Sequence, residues 1–183
     1  MSEVLERYQG LAAEFGQRVE ATPDDRWSTP SPSCPGWTAR DIVAHVVDGQ
    51  RYVVAAIQGI EPEPVPDDAD PKELFQASNA ALQAAAAQPE ALVKPVKSPM
   101  GELPAELILG RIMSMDVLVH TWDLARAVGG DEHLDQDAVA HAFEGIRPVG
   151  PMLRRPGFFG DEVEAPEGAD LQTQFLNFLG RRP

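Results

Sequence analysis

Proline placement constrains this chain more than any other feature. The ring removes a backbone donor and clashes with the preceding turn, so helices must fit between the proline-bearing stretches. Those stretches are 22–37 (TPDDRWSTPSPSCPGW), 59–70 (GIEPEPVPDDAD), 90–103 (EALVKPVKSPMGEL) and 147–170. In the first run outside them, Val4, Leu5, Tyr8, Leu11, Ala12, Phe15 and Val19 step by three and four, which predicts an amphipathic helix. Thr38 with Asp41 three places on predicts a capping box. The helix it opens runs to about Gln58 and is apolar on more than one side, as suits a deep position in a bundle. Asp70-Pro71-Lys72-Glu73 reads as an N-cap, a proline at N1 and a glutamate at N3, opening a third helix that stops before Pro89. Residues 90–103 suit a short extended excursion. Pro104 then opens a long fourth helix with an apolar stripe through Leu107, Ile108, Ile112, Met115, Val119 and Leu124, stopped by Gly129-Gly130. A weaker helix over Asp137 to Ile146 and an Asp170-capped helix ending on Gly180 leave 147–170 as loop. The expected fold is all-α: a four-helix bundle with a small extended segment before the fourth helix and a short irregular C-terminal extension. One domain is expected over 1–183, with its core at about 3–130 and the extension at 131–183.

Charge narrows the partners. Fifteen Lys and Arg against 29 Asp and Glu leave a net charge of −14, which repels polyanions, so nucleic acid and anionic membrane are excluded as partners. The one cysteine, Cys34, precludes an internal disulfide and a cysteine-rich zinc site. The opening MSEVLERYQG is acidic and amphipathic, unlike a signal peptide, and the chain lacks the charge-free run of about 20 residues that a bilayer span needs. A cytoplasmic location is expected.

Asp116 and His120 stand four apart on the fourth helix, about 40° apart around its axis, and can converge on one point. Such a pair is half of a divalent-metal site or an ordinary helix-face ion pair. His45, at the margin of the second helix's apolar stripe, can close a three-ligand site with them if the two long helices pack together. Two imidazoles and one carboxylate leave coordination positions open, as catalytic metal sites do. His133 and His141 read as surface residues, Cys34 as a small buried hydrophobe, and Trp27, Trp37 and Trp122 as packing residues, of which Trp37 and Trp122 can also wall a pocket. Arg40 and Arg111 are the candidates for steering an anionic substrate.

The segments SPSCPGWTARDIVAHVVDG (31–49) and MDVLVHTWDLARAVG (115–129) resemble those of the mycothiol-dependent maleylpyruvate isomerase N-terminal family, within the DinB-like four-helix metalloproteins. The resemblance covers roughly residues 3–180. It implies a divalent metal, usually zinc with nickel or iron as alternatives, held by the residues matching His45, Asp116 and His120. It also implies an open metal position that activates a low-molecular-weight thiol such as mycothiol toward a small electrophile, for isomerisation or S-transfer. The isomerase pattern has glutamate where this chain has Asp116, and a larger C-terminal domain. Two rival expectations are a non-catalytic metal-containing module that pairs as a homodimer through its outer helix faces, and a metal-free helical scaffold.

Overall fold

The structure is a computed structural model that describes residues 2–98, 101–150, 154 and 159–183. The chain divides into two compact units, Met1–Asp131 and Glu132–Pro183.

The first unit is built on α1 (Glu3–Ala21), α2 (Ala39–Gln58), α3 (Pro71–Ala86) and a fourth helical run from Ala105 to Val128. α1 packs against α3 and the fourth run, and so does α2, so the helices close a ring around one core. The caps anticipated from sequence hold the ends. Thr38 and Asp41 make a reciprocal capping box, and the Asp70 carboxylate accepts from the backbone N–H groups of Lys72 and Glu73. Leu5, Tyr8, Leu11, Ala12, Phe15 and Val19 of α1 are all buried, and Phe15 meets Phe75 of α3 edge-on at 5.0 Å. Within the core, Gln50 donates to the Tyr8 hydroxyl at 3.0 Å and ties α2 to α1.

The loop before α2 is irregular but pinned. Ser31 and Trp37 are joined by a backbone hydrogen bond of 2.8 Å, Cys34 N–H donates to Ser31 Oγ at 3.1 Å, and Gly36 takes a φ of 85°, which a side chain would oppose. The excursion before the fourth run is an antiparallel pair, β1 (Pro95–Ser98) and β2 (Gly101–Pro104), with Val96 opposite Leu103. Residues 99 and 100 of the expected extended segment lie outside the described residues.

The fourth run departs from the continuous α-helix that its periodicity predicts. It consists of α4 (Ala105–Leu107), a π-helical turn over Ile108–Met113 and α5 (Ser114–Val128). A π turn fits an extra residue into the helix and rotates everything beyond it. Consequently Leu109, Met113 and Val117 are buried, while Leu107 is 40% exposed and Ile112 and Met115 are only half-buried. Ser114 Oγ donates to the Leu109 carbonyl at 2.7 Å, satisfying an acceptor in the widened turn. Gly129, with φ 74°, ends α5.

In the second unit, α6 (Gln136–Ile146) starts one residue earlier than the sequence predicts, because the Asp135 side chain accepts from Ala138 N–H. α7 (Leu171–Phe178) is capped by Asp170, and Phe143 of α6 packs on Phe175 and Phe178 at 5.8 and 5.5 Å. Part of the expected loop 147–170 falls on 151–153 and 155–158, outside the described residues. Among the described residues no helix is long and apolar enough to cross a membrane.

Candidate metal centre

His45 lies two turns into α2, past a cap that fixes where the helix begins, and Asp116 and His120 share one face of α5. Packing of α2 on α5 brings the three together. His45 Nε2 is 3.3 Å from Asp116 Oδ1, and His120 Nε2 is 3.5 Å from the same oxygen. One donor atom from each residue fits within 4.8 Å of the other two. The cluster grades from solvent to core: the His45 side chain is 43% exposed, Asp116 28% and His120 8%. Close helix approach is helped by Gly49, one turn beyond His45, where an added Cβ would sit 3.0 Å from the Met113 methyl.

Burial by itself would push the Asp116 carboxyl up and the His120 imidazole down. The attraction between the two rings' protons and the carboxylate outweighs it. Asp116 is held well below the usual carboxylate range by His120 and His45, and His120 well above the ordinary imidazole value by Asp116, Asp123 and Cys34. Without a metal the cluster is thus an ion pair, while its atoms form a nitrogen, nitrogen and oxygen donor set.

A second cluster lies behind His120. Asp123 is fully buried, its Oδ2 is 3.0 Å from His120 Nδ1, and the Cys34 thiol donates to that oxygen at 3.5 Å. The His120–Asp123 contact is short but bent from the ideal N–H line. Trp37 lies over the imidazoles, with ring centroids 5.0 Å from His45 and 5.8 Å from His120. Trp122, by contrast, is buried in packing with Arg126 over its ring. Arg40 is engaged with the Ala69 carbonyl and Arg111 is exposed on the π turn. His133 and His141 are exposed in the second unit. Asp123 was not anticipated from sequence. Its signal was available in the spacing, three residues after His120 and so on the same helix face.

A model of the mycothiol maleylpyruvate isomerase N-terminal domain matches residues 8–125, which carry all three donors and Asp123. The chain belongs to this family. Two uncharacterized proteins of Mycobacterium tuberculosis, MT0763 of strain CDC 1551 / Oshkosh and Rv0738 of strain H37Rv, are each 36% identical over 180 residues, which is 97% of this chain and 97% of theirs. The crystal structure of the mycothiol-dependent maleylpyruvate isomerase has a TM-score of 0.58 at 20% identity, and the match covers 77% of this chain. This chain spans 66% of that isomerase, just under two thirds. A point mutant of the isomerase has a TM-score of 0.63 at 18% identity, covering 85% of this chain and 73% of its own. At these identities the likeness is one of fold, and it agrees with the all-α bundle read from sequence.

Proposed function

We propose that this member of the mycothiol maleylpyruvate isomerase N-terminal family holds a divalent metal ion through His45 Nε2, Asp116 Oδ1 and His120 Nε2. Zinc is the foremost candidate and nickel or iron the alternatives. The open side of the site would serve a mycothiol-type thiol and a small electrophile, in isomerase or S-transferase chemistry. One observation carries the reading: the two donor edges of 3.3 and 3.5 Å. A tetrahedral ion with bonds of about 2.1 Å needs edges of about 3.4 Å, which both edges to Asp116 match, while the edge between the two imidazoles lies within 4.8 Å.

A divalent ion there would make a thiol acidic near neutral pH and polarise a carbonyl oxygen. The chain's own residues would do the rest. His120, on the core side, anchors the site, while His45 and Asp116 border solvent and leave the approach of a guest on their side. Trp37 shields one flank of the imidazoles from water. Asp116 carries the negative charge that an N,N,O site offers a cation.

A second reading, a metal-containing binding or regulatory module without turnover, is favoured by the 66% coverage of the isomerase, since part of that enzyme has no counterpart in the match. Elemental analysis of zinc-exchanged, dialysed protein tests the metal. About one equivalent is expected, lost in His45→Ala and in His120→Ala; protein that retains none would leave the metal-free scaffold as the description. Zinc-loaded protein incubated with mycothiol and maleylpyruvate, or with another small electrophile, and followed by mass spectrometry then separates turnover from binding alone.

A further inference from the structure

The Cys34–Asp123 pair sits behind the site, outside the His45–Asp116–His120 set, although with His120 it brings three potential ligand atoms within 4.8 Å of one another. A buried carboxylate is costly unless something compensates it, and Asp123 is fully buried. Two of its neighbours are informative. His120 Nδ1 lies 3.0 Å from Oδ2, and the Cys34 thiol donates to the same oxygen at 3.5 Å. The two nitrogens of His120 therefore face different carboxylates, Nδ1 toward Asp123 and Nε2 toward Asp116. A carboxylate at Nδ1 retains a proton there and so reserves the Nε2 lone pair for a cation, while it also stops the ring from rotating. Cys34 is held in turn, since its own N–H donates to Ser31 Oγ in the pinned turn before α2.

Resting on the metal reading above, we propose that Asp123 is a positioning residue for His120 and that Cys34, through its thiol, is a positioning residue for Asp123. The turn that carries Cys34 and Trp37 thereby touches the site twice, from beneath His120 and over both imidazole rings. The Cys34 thiol acts as a hydrogen-bond donor and not as a metal ligand or nucleophile.

The test is zinc affinity in the full chain, measured by competition with a chromophoric chelator, together with the visible spectrum of cobalt-substituted protein. Asp123→Asn should weaken zinc by about 10- to 100-fold and shift the cobalt bands while one equivalent still binds. Cys34→Ala should weaken it less, and Cys34→Ser, which keeps a donor, should restore the wild-type value and spectrum. If Asp123→Asn does not fold, the Cys34→Ala and Cys34→Ser pair decides. Zinc affinities and cobalt spectra that match wild type in both Asp123→Asn and Cys34→Ala overturn the proposal and leave the metal reading intact. Two equivalents in wild type, one of them lost in Cys34→Ala, overturn it in favour of a ligand role for the thiol. Wild-type protein that binds no zinc removes the metal reading and this inference together.

Discussion

His120 has a carboxylate at each end of its ring, and the two differ in exposure. Replacing it with alanine removes the imidazole 3.0 Å from Asp123, which is fully buried. Removing one partner of a buried ion pair costs about 3–5 kcal/mol. Replacing His45 breaks a pair whose imidazole is 43% exposed, and such pairs contribute about 0–1 kcal/mol. Urea denaturation in a chelator is thus expected to show a large loss for His120→Ala and a small one for His45→Ala; equal losses would contradict the assignment of Asp123 to His120. The same side chains set a pH window for the metal-free protein. The His120 pKa is raised in the fold, so its contribution is complete below about 6.5 and fades as pH rises through the raised value. The Asp116 pKa is lowered, so its contribution is complete above about 3.9 and fades as pH falls through the lowered value. Melting temperature in a chelator should therefore decline on the alkaline side, and Asp116→Asn should flatten that decline. Metal uptake runs the other way, because the ligands must shed their protons, so zinc affinity should rise across the same range.

Helix caps are the clearest devices at the scale of elements. Asp170 caps α7 by accepting from Thr173 N–H at 2.7 Å, and that bond lowers its pKa. Asp170→Ala should cost about 1 kcal/mol at neutral pH and Asp170→Asn much less. Because the folded pKa is lowered, the aspartate's charge-dependent advantage is complete above about 3.9 and fades as pH falls through the folded value. Thermal melts of the wild type and of Asp170→Asn should thus converge in acid; a gap independent of pH would rule out the ionised cap. These caps were legible in the sequence because each is made by residues two to three apart, as were the Thr38–Asp41 box and Gly129. The π turn was not. It depends on how α1 meets the fourth run, where an added Cβ at Gly110 would sit 2.8 Å from Val4 Cγ1. Gly110→Ala should therefore destabilise the bundle by roughly 1–3 kcal/mol, since valine is stiff and overpacking is not relieved by a rotamer change. A neutral or stabilising result in urea would show that the helix interface can yield.

Across the whole molecule, a net charge of −14 opposes every anionic guest. Salt screens that repulsion, with a Debye length of about 10 Å at 0.1 M. Association of an anionic thiol or substrate should accelerate by roughly two- to tenfold between low and physiological salt. Stopped-flow rates that fall with salt would instead reveal a local cationic patch. The sequence by itself determined the helical elements, their caps and which three residues could meet at the candidate site, because proline spacing, apolar period and an i, i+4 pair act within one segment. It also determined the acidic field, which is a sum over side chains. Tertiary structure alone decided which helices are neighbours, the rotation that the π turn adds before Asp116, and the distance from His45 to Asp116. It also brought Cys34 to Asp123, 89 residues along the chain. Those quantities depend on the packing of surfaces far apart in sequence, where a rotation of one residue in α5 moves every side chain by about 100°, and no local pattern records that choice.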